Sequence, residues 1–492
     1  MGEGPGAVEG ATAPPDPEAG RIFTRAVEMH RAGRPVEAVR HYAEALARDP
    51  AHVQALNNLG VLLRGQGRWA AAEACYRRAL ALAPGNAGLS NNLGNVLRER
   101  GRLREALSHY LEAVEANPQD PGLLCGLGHA LVALGRYEEA VAAYRCALER
   151  PPPRGGEGEA PPGGPELDLA LALLAAGRHA AGFEALAARP SPAARQGPFR
   201  DLPDWQGEPL PAGGLAILGE ADPGDTLFFL RWLPALAARG LDYRLAVPAE
   251  LAPLAAGLPG CRPLQAAADA EGLLAKARLA ALPHLLGLCE PPQLAEGGFL
   301  VPPAGPRPVA PAYPGRRLSV GLVWSAGNAG RGPQRDPGLE RLLAMAGCPG
   351  VQLLALQKGA AVADLVTAGA AGLVHDMSPA FTGLADLARL LPSLDLVVAA
   401  DGPVGDLCGA LGVPCWLLLP FAGSWRHPRG RDTSPWYPRH RLFRQRQPGV
   451  WDEAVEALLA ALDRRLAETG PETGPETSAE TSAETSAEAG DG

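Results

Sequence analysis

Two textures of apolar patterning divide the chain. In the first third, small and apolar positions return every 34 residues. Gly33, Gly67, Gly101 and Gly135 keep this period and each is followed by Arg; Tyr42, Tyr76, Tyr110 and Tyr144 keep it too, as do Pro50, Pro84, Pro118 and Pro152. The spacing predicts helix pairs, the first helix ending near the Gly and the second near the Pro. After Pro190 short apolar runs alternate with helical stretches, as in GGLAILGEADPGDTLFFLRWLPALAARGLDYRLAVP and RRLSVGLVWSAGN. Such alternation predicts parallel sheets. Residues 395–420, DLVVAADGPVGDLCGALGVPCWLLLP, read as strand, Asp-Gly-Pro turn, short helix, Gly stop and second strand.

Four units in one register over residues 17–152 resemble the tetratricopeptide repeat, a helical-hairpin family. Each hairpin alone leaves an apolar face uncovered, so stacking is what stabilises it. Small residues such as Gly60 and Ala72 let the helices approach, and the Tyr fills the gap against the neighbouring unit. A Pro/Gly loop at 153–164 precedes a fifth, degenerate unit at 165–200 that caps the stack, with Gly177 shifted 8 residues beyond the period. The resemblance implies a concave groove for a polypeptide partner. Asn57-Asn58 and Asn91-Asn92 recur one unit apart on the groove-lining helix, where they would hydrogen-bond an extended backbone; the next unit has Cys125-Gly126 instead. Polar residues on a wet concave face are expected without any such role.

The remainder resembles the glycosyltransferase-like domains that follow such repeats in bacterial proteins. These are similar to lipopolysaccharide heptosyltransferases and, more distantly, to O-linked N-acetylglucosamine transferases. The resemblance rests on GEADPGDTLFFLRWLP, VGLVWSAGN, LALQKG, the 395–420 stretch with its continuation FAGSWR, and DTSPWYPRHRLFRQRQPGVWDE. It implies a GT-B architecture of two Rossmann-like, parallel-sheet halves after the α-solenoid. The halves fall at 201–303 and 317–467, joined by a Pro-rich linker at 304–316, with a nucleotide-sugar in the second half and the acceptor across the cleft. Segments 1–16 and 468–492 are expected to be disordered.

The candidate site residues follow from that resemblance and from the chemistry of each position. Gly224-Asp225-Thr226 lies at a strand-to-helix turn, where Asp225 would be the general base for an acceptor hydroxyl; alternatively it caps the helix. Arg331 and Arg335 would reach a diphosphate, and Lys358 would lie near the nucleotide. The family turn Asp-Thr-x-x-x-His reads here Asp401-Gly402-Pro403-Val404-Gly405-Asp406. Asp401 is the expected N-cap, and 402 and 406 lie one helix turn apart. The helix start favours an anion, but Asp406 opposes one. At ~5 Å and an effective dielectric of ~20, two like charges cost about 3 kcal/mol, against ~0.3–1 kcal/mol from the helix dipole. The site is therefore metal-assisted, with Mg²⁺ or Mn²⁺ bridging Asp406 to a diphosphate, altered in its ligand, or empty. Two functions stay open: a transferase moving sugar from a nucleotide-sugar to a hydroxyl, or a degenerate transferase serving as a repeat-based adaptor.

Charge and cysteines narrow the class. The net charge is −9, but residues 468–492 carry seven acids and no base, leaving the body at about −2. No basic footprint for nucleic acid remains. Eight cysteines without a CxxC pair read as reduced structural thiols. The start MGEGPGAVEG lacks a basic and an apolar signal region, and no apolar run is long enough to span a membrane, so a cytoplasmic protein is expected.

Overall fold

The computed structural model describes residues 16–150, 164–189, 199–210, 214–241, 243–264, 271–291, 298–311, 313–326 and 335–468. Ten helices in its first part form five hairpins. They are α1 Pro17–Arg31 with α2 Pro35–Arg48, α3 Val53–Gly65 with α4 Trp69–Leu82, and α5 Ala87–Glu99 with α6 Leu103–Ala116. They continue with α7 Pro121–Ala133 and α8 Tyr137–Leu148, then α9 Gly164–Ala175 and α10 His179–Ala188. Asp16, His52, Asn86 and Asp120 cap the first helix of each of four pairs with their side chains. The turn glycines at 33, 67, 101, 135 and 177 all hold φ between 69° and 76°, a left-handed backbone that a side chain resists.

Close approach within a hairpin depends on the missing side chain of a glycine. A Cβ built on Gly60, Gly94 or Gly128 would come within 2.7, 3.0 or 2.5 Å of the ring of Tyr76, Tyr110 or Tyr144. Each of these rings therefore lies on the glycine of its own hairpin. The tyrosines also reach onward as expected: the Tyr42 hydroxyl accepts from Asn58 Nδ2 of the next unit at 3.4 Å.

Two all-parallel sheets follow. Strands β1 Leu215–Leu218, β2 Tyr243–Ala246, β3 Cys261–Pro263 and β4 Ala275–Arg278 lie in the order β3-β2-β1-β4. Strands β5 Leu318–Val323, β6 Val351–Ala355, β7 Val374–Asp376, β8 Leu396–Ala400, β9 Cys415–Leu419 and β10 His440–Arg444 lie in the order β10-β9-β8-β5-β6-β7. The strand order of the second sheet reverses between β5 and β8, which opens a crevice at the strand carboxyl ends. Burial is continuous along β5, β8 and β9, as parallel strands covered on both faces require. Leu458 and Leu462 of the Asp452–Glu468 helix share one core with Val320, Val398 and Leu418.

Solenoid and sheets are joined by aromatic side chains. Phe183 of α10 is fully buried, with ring centroids of Phe229, Trp232, Trp425 and Trp436 at 5.7–6.3 Å. Phe228 continues the cluster toward Trp425 and Trp436 at 5.1 and 5.2 Å. Arg278 at the end of β4 donates to Leu186 O of α10 at 3.2 Å, and Arg429 donates to Leu134 O after α7 at 3.2 Å. These contacts turn the face of the later repeats toward the sheets. All eight cysteines are free thiols, and no described helix is long and apolar enough to cross a membrane.

Truncating Phe183 to Ala removes the ring shared by solenoid and both sheet regions. The expected loss is about 3–5 kcal/mol in denaturant unfolding. A loss near that of an exposed position would show that the cluster does not join the parts.

Candidate functional site

Two short segments face each other across the gap between the sheets. The Pro223–Phe229 helix starts after β1, and the Pro403–Leu411 helix starts after β8. Gly224 sits at their contact: a Cβ there would lie 2.8 Å from Asp406 Oδ2 and 3.6 Å from Pro403 Cα. Asp222 is the N-cap of the first helix, its carboxylate accepting from Asp225 N at 3.0 Å. Asp225 therefore does not cap the helix. Its half-exposed carboxylate pairs with Arg426 Nη2 from the second half.

Asp406 turns toward the same arginine. Its Oδ2 lies 3.5 Å from Arg426 Nη1, and its Oδ1 accepts from the Tyr437 hydroxyl at 2.8 Å. The expected uncompensated carboxylate is thus offset by a buried guanidinium. Burial pushes the Asp406 carboxyl up to about 6, against the pull of Arg426 and the Tyr437 hydroxyl. Burial also works against the Arg426 charge, but Asp406 and Asp225 hold its pKa above the ordinary arginine value. Phe228 supports the guanidinium from one side, 4.5 Å from its carbon.

The N-cap of the second helix is Gly402, without a side-chain cap, rather than Asp401. Asp401 instead accepts from Ser424 N at 3.0 Å and fixes the loop after β9. Gly405 and Gly409 give the helix its closeness to the sheet and to Tyr437, since a Cβ would meet Leu417 at 2.7 Å or the Tyr437 ring at 2.1 Å. Thr226 is fully buried and spends its hydroxyl on the backbone of Glu220, donating to O at 2.9 Å and accepting from N at 3.0 Å. It orders the turn and does not line the gap.

Three cavities run together around these helices. A crevice of about 310 Å³ at the β5/β8 reversal is lined by Ser325, Ala326, Leu356, Lys358, Phe381, Gly402 and Pro403, among others. Lys358 stands 4.7 Å over the Phe381 ring and donates to Ser378 O at 2.7 Å. A second cavity of about 500 Å³ shares Ala326, Gly402 and Pro403 with it. That cavity holds Asp222, Asp225, Asp406 and Arg426 on one side and His129, Tyr144 and Asp168 of the repeats on the other. A third, of about 260 Å³, continues from it past Arg98 and Arg335 to Trp69 and Phe421. Arg335 thus lies where the repeats meet the second sheet; Arg331 falls outside the described residues. Among the described residues no group of three His, Cys, Asp or Glu side chains could hold a metal ion, so nothing supports Asp406 as a metal bridge.

The repeat asparagines bond one another. Asn92 Nδ2 donates to Asn57 Oδ1 at 2.9 Å, and Asn57 Nδ2 to Asn58 Oδ1 at 3.2 Å. Asn91 Oδ1 is buried with no hydrogen-bond partner among the described residues. Sequence reasoning did not single out Arg426, Trp425, Tyr437 or the His129–Asp168 pair, whose Nε2 and Oδ2 lie 2.8 Å apart. The available signal was a concentration of Trp, Tyr and Arg in residues 425–444 of a chain that is only 5% aromatic.

Comparison with known proteins supports the repeats. Residues 30–87, 57–121 and 91–155 each match the model of the tetratricopeptide repeat. The first part of the chain is a tetratricopeptide repeat array. Protein FlbA of Caulobacter vibrioides is 30% identical over 343 residues, 61% of this chain and 56% of FlbA. The chain thus spans just over half the length of that relative, in a match too long for the repeats alone. MamA of Desulfovibrio magneticus RS-1 is similar at 20% identity and a TM-score of 0.31, covering 35% of this chain and 93% of MamA. YrrB, described as a repeat protein with an unusual peptide-binding site, is 20% identical with a TM-score of 0.28, covering 34% of this chain and 81% of YrrB.

The histidines behind the site set a pH dependence. Burial, with Arg426, Arg444 and Arg231 nearby, pulls His427 down to about 3 from an ordinary 6.5. The unfolded chain takes up that proton first, so this contribution to stability is full above pH 6.5 and is lost as pH falls toward 3, at about 1.4 kcal/mol per pH unit. Asp406, with its raised pKa, has the opposite sign: its contribution is present below its ordinary 3.8 and lost as pH rises through 6. His427→Asn should therefore flatten the acid loss of stability between pH 6 and 4 by about 1 kcal/mol per unit relative to the parent, read by urea unfolding at each pH. An unchanged slope would mean that His427 titrates in the folded state.

Proposed function

We propose that the chain is a glycosyltransferase of GT-B type that takes a nucleotide-sugar in the 310 Å³ crevice and a polypeptide hydroxyl from the repeat side. The repeats bind protein; the sugar-transfer chemistry is our reading of the α/β region. One observation carries it. The crevice at the β5/β8 reversal opens, at Ala326, Gly402 and Pro403, into the cavity that holds Asp225 and is walled by repeat residues. Ligands of open parallel sheets bind outside the strand carboxyl ends at such a reversal, and the largely apolar walls of Leu356, Phe381 and Leu384 suit a nucleobase.

In this reading Asp225 takes the proton of the acceptor hydroxyl as its oxygen attacks the anomeric carbon. The bond from that carbon to the diphosphate breaks, and the leaving diphosphate carries the electron pair toward the start of the Pro403–Leu411 helix. The asparagine-lined repeat face would hold the flanking polypeptide. Cytoplasmic residence accords with eight free thiols.

A second reading, a lapsed transferase acting as a repeat-based adaptor, is favoured by one contact: the proposed base is engaged by Arg426. Thermal melting with UDP, GDP, CDP and dTDP and their sugar conjugates separates the two. A true donor at 100 times its Kd adds about 2.7 kcal/mol, and the transferase reading expects at least one clear stabilisation. Phe381→Ala should then weaken that ligand several-fold, by about 1 kcal/mol of lost stacking. No shift with any of the panel would leave the adaptor.

A further inference from the structure

Arg426 is the cation shared by Asp225 and Asp406, two of the carboxylates of the gap, and it comes from neither facing helix. It follows β9, is 8% exposed, and lines the same cavity as Gly402 and Pro403 at the helix start. Its two terminal nitrogens face Asp225 and Asp406, while its Nε is buried with no hydrogen-bond partner among the described residues. The two carboxylates differ in how firmly they are held. Asp406 is buried and keeps the Tyr437 hydroxyl whatever Arg426 does. Asp225 has 48% of its side chain exposed and can turn to water at little cost.

We propose that Arg426 is the anion contact of the cavity into which the crevice opens at Gly402 and Pro403, and that Asp225 is its internal competitor, so that an arriving diphosphate displaces Asp225 and frees it for the acceptor. This rests on the sugar-transfer reading and adds an order to it: donor first, acceptor second. One guanidinium between two carboxylates leaves a net negative cluster, and a third anion cannot enter until one leaves. The exposed carboxylate is the one that can. A diphosphate then meets the helix start and a guanidinium whose geometry suits paired oxygens. Before the donor arrives the Asp225 carboxylate is held on Arg426 and is not turned to an acceptor hydroxyl.

The test is calorimetric titration of the full chain with UDP, GDP, CDP and dTDP. Asp225→Asn removes the competing charge but keeps the shape, and it should tighten the nucleotide that binds best by about fivefold. Arg426→Lys should weaken it by about tenfold, because an ammonium cannot serve two phosphate oxygens in a fork. Tightening in Asp225→Asn is a sign that a merely structural clasp does not give. If the parent binds a nucleotide and Asp225→Asn binds it equally or more weakly, the competition is wrong while sugar transfer stands. If neither parent nor Asp225→Asn binds any of the four, both readings fall. The Asp225→Asn arm decides even where Arg426→Lys melts early, since the substituted side chain is half in water.

Discussion

The aromatic cluster around Phe183, Phe228, Trp425 and Trp436 is the contact on which the rest of the molecule depends. It draws one ring from the last repeat hairpin, others from the helix after β1, and others from the loops after β9. Rings meeting edge to face contribute area and geometry together, and the cluster spans pieces that separate sheets and hairpins would not otherwise hold. Arg231 completes it, stacked 4.1 Å from Phe228 and 4.6 Å from Tyr437 and donating to Phe228 O and Trp436 O. The guanidinium satisfies carbonyls that the rings seal from water. Because the cluster sets how the hairpins lie on the sheets, it also sets that His129 and Asp168 wall the cavity of Asp225.

A second constraint is steric. Gly224 lets two helix starts from different halves touch, and Gly405 and Gly409 let one of them sit close on its sheet and on Tyr437. That closeness brings carboxylates together, which in a partly desolvated gap is costly without a shared cation. Arg426 supplies it. Under the proposed displacement of Asp225, the ion bridge that makes the gap tolerable would also govern what enters it, tying stability and ligand choice to one side chain.

The hairpins were legible because their determinants are local and periodic. A turn glycine with positive φ, a small residue facing a tyrosine, and a proline past the second helix recur at a constant spacing, and each acts within its own unit or on the next. The strands of the second sheet were legible as apolar runs, and the Pro403–Leu411 helix with its Gly412 stop lay where the 395–420 pattern implied. Side-chain direction was harder. Asp401, the obvious cap by position, went to Ser424 N, and Thr226, next to the proposed base, went to Glu220. In each case a backbone group distant in sequence, or buried by the fold, outbid the local role.

Periodicity, turn chemistry and strand patterning alone determined that a helical repeat array precedes two parallel sheets, and that residues 401–406 open a helix at a strand end. Which strands adjoin, and hence where the sheet reverses and leaves a crevice, came from tertiary packing. So did the meeting of Asp225, Asp406 and Arg426, which are separated by up to 201 positions along the chain. Local patterns encode backbone conformation, because that is set by nearest neighbours. The partner of a charged side chain is chosen by whatever the folded chain brings within reach of it, and only the assembled core decides that.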